Sequence, residues 1–225
     1  MNNSIVNFHQ TATSVAELDV ALAKGQQNAP ESKASNNRPF LRLSAEGEGW
    51  VYGMDSTAVE EGSRWAINPF SFRSGWVCWA DAAMNNGKRE KLGEVMNLIA
   101  TPPTMPETDY SAQGGKWTDQ VGFDLICIDG ADAGEELSYN VNSKGGQAAF
   151  ADVYKAMMER PDGDYCFPIV NLQHDNYKNK TYNRRVYVPV FKIVDWADME
   201  ENLLSDSKGD KPAPEQQPKR RRRTA

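Results

Sequence analysis

At 225 residues, 40% hydrophobic and 10% aromatic, the chain has the material for one packed domain with tails, or at most two small ones. No run of about 18 apolar residues occurs, so no membrane span is expected, and the start MNNSIVNFHQ lacks the basic and apolar stretches of a secretory signal. The net charge is −6, so a polyanionic partner requires cations gathered in one place.

In chain order, residues 1–38 read as a leader. Ser14 to Lys24 has the spacing of a short amphipathic helix, capped by Ser14 and stopped by Gly25, and QQNAPESKASNNRP after it has linker composition. A β-rich domain is expected over residues 39–197. Leu41–Ser44 and Trp50–Tyr52 alternate like strands. Arg64–Trp79, RWAINPFSFRSGWVCW, is dense in sheet-forming residues, with Pro69 and Gly75 marking a bend or bulge. Asn86-Gly87 signals a tight turn before a returning strand, Gly93–Ile99. A Pro/Gly-rich loop, residues 101–116, precedes a buried strand at Val121–Ile128. The acidic turn DGADAGEE then leads into Leu137–Val141. Gly146–Glu159 is the one convincing helix of the body, with Ala149, Phe150, Val153 and Met157 on one face and Pro161-Asp-Gly163 as its stop. Phe167–Leu172 pairs with Arg185–Val194 as a last hairpin. Residues 198–225 form a tail, acidic to Glu215 and then ending in Lys219-Arg-Arg-Arg-Arg223; such charge blocks predict disorder, and the polar ends account for the mean hydropathy of −0.65.

Three widely spaced cysteines (Cys78, Cys127, Cys166) in apolar surroundings predict reduced core thiols in a cytoplasm-like compartment. With no paired cysteine spacing and only two histidines, His9 and His174, a zinc site is not expected.

The strongest functional signal is Tyr177–Phe191, YKNKTYNRRVYVPVF. It interleaves Lys178, Lys180, Arg184 and Arg185 with Tyr177, Tyr182, Tyr187 and Phe191 and contains no acid. Cations neutralise phosphates while rings offer faces to unpaired bases. Alternation puts Val186, Val188, Val190 and Val194 on the core face and Arg185, Tyr187, Phe191 and Ile193 on the open one. In Arg64–Trp79 most rings must be core, and Arg73, Phe72 and Trp76, nearest the bend, are the candidates for surface contact. The plain reading of both stretches is a solvated hairpin tip and ordinary strand aromatics.

Asp124, Asp129, Asp132, Glu135 and Glu136 could hold a divalent metal for nuclease chemistry, but carboxylates around a glycine-containing turn are more often solvated. No phosphate-loop, dinucleotide-binding, zinc-protease or serine-hydrolase motif occurs, and His174 has no evident catalytic partner. The chain therefore reads as a non-enzyme needing no cofactor.

A β-rich body with a late helix, an aromatic and basic face and an acidic C-terminal region resembles phage-encoded single-stranded-DNA-binding proteins over roughly Arg42 to Asp210. WAINPFSF and YKNKTYNRRVYVPVF are also similar to segments of phage and prophage proteins from replication regions. The resemblance implies a mostly-β (α+β) fold, an OB-like small barrel with one packed helix. It also implies a role in coating single-stranded DNA during replication or recombination in the host cytoplasm, with replication proteins meeting the acidic tail. Relatives of that type finish on acids, whereas this chain finishes on KRRRRTA. In the mechanism this reading expects, Lys178, Lys180, Arg184, Arg185 and Arg73 follow the backbone of DNA or RNA. Tyr177, Tyr182, Tyr187, Phe191 and Trp76 stack bases. The alternative is a virion structural or assembly protein, whose aromatic face meets protein and whose basic tail meets packaged genome. Oligomeric state is left open.

Overall fold

The computed structural model describes residues 15–16, 19–20, 38–44, 49–161, 163–180 and 183–205. The rest of the leader, residues 206–225 of the tail and Tyr182 lie outside the described residues.

The described residues form ten strands in one mixed sheet: β1 (Phe40–Leu43), β2 (Trp50–Tyr52), β3 (Thr57–Ala58), β4 (Arg64–Ile67), β5 (Arg73–Trp79), β6 (Lys91–Leu98), β7 (Lys116–Cys127), β8 (Glu136–Val141), β9 (Phe167–Asn179) and β10 (Arg184–Ala197). A helix, α1 (Lys144–Met158), joins β8 to β9 through a loop. The main path runs β10-β9-β4-β7-β8-β1-β2-β3, with β5 pairing β6 and β7 beside it. The mostly-β expectation holds. The sheet is not closed, because its path ends at β10 and β3 without a pairing between them among the described residues.

Strand β7 organises the sheet. Its first half pairs with β5 from Lys116 to Gly122, and its last residues pair with β4 at Leu125–Cys127. The chain passes from β4 to β5 through a 3-10 turn at Pro69–Ser71, where the Asn68 side chain accepts from the Phe70 N–H. Pro69 thus marks the bend expected of it. Gly75 does not form a bulge: pairing runs on through it, and an added Cβ would overlap the Val95 carbonyl, so close strand approach explains the glycine. The irregularity in β5 falls instead between Cys78 and Trp79.

Helix α1 begins two residues earlier than its sequence pattern suggested, because Ser143 caps it by accepting from Gly146 N–H. Ala149, Phe150, Val153 and Met157 form its buried face as the spacing required. They meet an aromatic core of Phe72, Phe123, Tyr139, Phe191 and Trp50, with ring centroids 4.9–6.1 Å apart where these rings meet one another. Trp50 reaches this core from β2 and donates its Nε1–H to the Gln173 carbonyl of β9 (2.9 Å), which binds the end of the sheet path to the β9–β10 hairpin.

The tail does not separate at residue 198. Ala197 bridges Leu203, Ser205 Oγ donates to Asp195, and Leu203 and Leu204 pack on the core. Of the leader, Val15 packs against the same core and Asp19 pairs with Arg160 at 2.6 Å. No helix among the described residues is long and apolar enough to cross a membrane.

Candidate nucleic-acid interface

Strands β9 and β10 pair from Phe167↔Ala197 to Asn179↔Arg184 with one bulge between Ile193 and Asp195, so the hairpin is twice as long on the β9 side as the sequence pattern suggested. Valine, tyrosine and phenylalanine favour the extended backbone, and Asn183 takes a left-handed conformation (φ 47°) at the turn. The near half of the hairpin is core. In the far half, Tyr177 is 53% exposed, and Lys178, Lys180 and Arg185 are exposed.

Register decides which groups act together. Lys178 lies opposite Arg185, Asn176 opposite Tyr187 and His174 opposite Pro189, so these six share one face. His174 and Tyr187 confirm it by an edge-to-face contact at 5.5 Å. Asp175 and Tyr177, opposite Val188 and Val186, belong to the other face. The cationic, ring-bearing face is therefore free of acid, but Tyr177 does not share it with Tyr187.

A cleft of about 330 Å³ opens at the base of this face. Its walls are Leu41–Ser44 from β1 and the residue after it, Tyr139–Val141 from β8, Ser143 at the start of α1, and Arg185–Pro189 without Val188 from β10. Arg42 and Arg185 bring two cations, and no carboxylate lines the cleft, in a chain of net charge −6. Arg42 is braced by donating from Nη1 to the Gly53 carbonyl (3.1 Å) and from Nη2 to Ser56 Oγ (2.5 Å). A larger, more polar cleft of about 540 Å³ carries Glu60 and Glu61 beside His174, which makes it the poorer place for a polyanion.

Several sequence expectations change here. Phe191 is 8% exposed and wedged among Trp50, Phe123 and Tyr139, so it is a core ring rather than a stacking surface. From Phe191 onward the expected faces of β10 are exchanged: Ile193 packs on the core, and Val194, at the bulge, is exposed. Phe72, 2% exposed, is also core. Arg73 does not face solvent. Its Nη2 pairs with the buried carboxylate of Asp124 at 2.8 Å, and its Nε donates to Asn140 Oδ1 at 2.9 Å. Arg73 thus acts behind the cleft wall: because guanidinium only donates, it fixes the Asn140 amide with its oxygen inward. Trp76 is half-buried on β5, donating to the Pro103 carbonyl (3.1 Å), and β5 pairs with neither strand of the hairpin. Lys178 and Arg185 lie exposed opposite each other, Lys180 is exposed beyond them, Tyr187 is half-buried on the face of Arg185, and Arg184 opens β10 opposite Asn179.

Four of the five acidic candidates are engaged structurally. Asp124, its side chain 3% exposed, accepts from Ser138 Oγ (2.7 Å) and meets both Arg38 and Arg73; Asp129 pairs with Arg64 at 2.5 Å; Asp132 accepts from Tyr52 Oη; Glu136 pairs with Arg38 at 2.7 Å. Among the described residues no group of three or more His, Cys, Asp or Glu side chains is arranged to hold a metal. All three cysteines are buried and free; burial pushes the Cys127 thiol up to about 11 and that of Cys166 to about 12.

Arg42, Asn140 and Ser143 escaped the sequence reading. They sit on β1, on β8 and at the start of α1, and only the tertiary fold brings them together against β10. No protein-family model, curated protein or solved structure matches the chain.

Proposed function

We propose that this chain is a non-catalytic single-stranded-DNA-binding protein that coats or protects DNA during phage replication or recombination. The observation that carries the reading is the acid-free cleft with Arg42, Arg185 and Tyr187, continuous with the face that presents Lys178. Cations spaced along a hairpin follow a phosphate backbone, and a ring at its base takes a base stripped of its partner. Duplex DNA is a poorer ligand because its bases are already stacked and paired. The OB-like barrel belongs to the same proposal: the bent, mixed sheet packs β10 across the β2 and β8 faces, as a partly open barrel does.

The test is a titration of intrinsic tryptophan fluorescence with oligo-dT, matched duplex and matched RNA at two salt concentrations. The full chain is compared with one in which Arg220, Arg221, Arg222 and Arg223 are replaced by glutamine, which removes the tail's own attraction for any polyanion. Salt-dependent binding of oligo-dT by both chains, tighter than duplex, is expected. Binding that vanishes with the tail charges would overturn the reading and favour a protein-facing role for the hairpin.

A further inference from the structure

We infer that the cleft between β1, β8 and β10 is a subsite for one unpaired nucleotide, holding a base between apolar walls and its phosphate on Arg42 and Arg185. The inference rests on the single-strand reading and adds to it a fixed point of capture on an otherwise sequence-tolerant track.

The lining has two characters that only a mixed ligand satisfies together. Leu43, Val141 and Pro189 give an apolar wall, with the half-buried Tyr187 ring among them. Arg42 and Arg185 give charge. A bare anion gains nothing from the aliphatic wall, and an apolar molecule leaves two arginines unused. A phosphorylated flat heterocycle uses both. The volume of about 330 Å³ lies at the low end of small-ligand pockets, about 300–1,000 Å³, which suits one nucleotide. Asn140, with its oxygen committed to Arg73, has its amide N–H donors left for a ligand acceptor such as a base carbonyl. A base within a duplex cannot enter such a cleft without leaving its stack, so the site also favours single strands.

The experiment titrates the full chain with thymidine 5′-monophosphate, thymidine and inorganic phosphate by calorimetry, and with oligo-dT in parallel. Leu43→Trp, which fills the cleft and leaves Lys178 and Lys180 outside it unchanged, is compared with wild type. The monophosphate is expected to bind at least about tenfold more tightly than either part, and Leu43→Trp to lose about tenfold in its affinity. Should Leu43→Trp not fold, Tyr187→Phe and Tyr187→Ala replace it: the first retains monophosphate binding and the second loses about tenfold. Inorganic phosphate binding as tightly as the monophosphate, or variants with unchanged monophosphate affinity, would overturn the subsite. If oligo-dT binding nevertheless persists, the single-strand reading survives that failure. Capture of the monophosphate by a chain that ignores oligo-dT would support the subsite and sink the single-strand reading instead.

Discussion

Replacing Phe191 by alanine separates core from binding surface on the strand where the two are hardest to tell apart. The ring is 8% exposed and lies 4.9 Å from Tyr139, 5.1 Å from Phe123 and 5.3 Å from Trp50, centroid to centroid. Truncating a buried phenylalanine costs about 3–5 kcal/mol in lost transfer energy and residual cavity. Ring pairs add about 0.5–1.5 kcal/mol each beyond buried area, which places the expected loss near the middle of that range or above it. For a chain of this size each kcal/mol shifts Tm by about 2–4 °C, so a fall of about 8–16 °C is expected. Urea unfolding followed by tryptophan fluorescence measures the loss, and oligo-dT affinity well below the transition should stay close to wild type. A loss under about 1 kcal/mol accompanied by clearly weakened DNA binding would refute the reasoning, because that is how an exposed stacking ring behaves.

Asp124→Asn should cost about 3–5 kcal/mol, since it leaves Arg38 and Arg73 beside a neutral amide in a largely buried site; chemical denaturation reads it directly. Cys127 and Cys166 should resist thiol reagents near neutral pH until the chain unfolds, because burial raises both thiols. The same shifts set a pH dependence: their stabilising contribution is full below the ordinary thiol value of 9.0 and is lost as pH climbs toward about 11 to 12, which melting curves across that window would show. Lys178→Ala with Lys180→Ala should weaken oligo-dT binding and flatten its salt dependence by about 0.7 log units per lysine, with little change in Tm; an unchanged slope would remove the hairpin from the phosphate path.

Local signals carried much of the fold. The helix face of Ala149, Phe150, Val153 and Met157 follows from 3.6-residue spacing, and Pro69 bends the chain because its ring cannot continue a ladder. The face of β10 was not legible, since valines alternate with tyrosine and phenylalanine and both rows suit a strand. What decides it is Trp50, Phe123 and Tyr139, which arrive from far along the chain and close over Phe191. Arg73 failed for the same reason: its partner Asp124 is remote in sequence, and without it an arginine near a bend looks solvent-facing. Half of the cleft was visible as Arg185 and Tyr187 within one charged, aromatic stretch. The other half, Arg42, Asn140 and Ser143, carries no local pattern and becomes a site only through long-range pairing.

Photocrosslinking of the full chain to oligo-dT carrying iododeoxyuridine, followed by peptide mapping, tests the central claim most directly, because the crosslink forms where a base lies against an aromatic ring. Crosslinks at Tyr187, within a peptide from the β9–β10 hairpin, are predicted, and they should disappear in Tyr187→Ala while folding is retained. Crosslinks confined to other aromatic residues such as Trp79 or Trp117, with none on the hairpin, would contradict it.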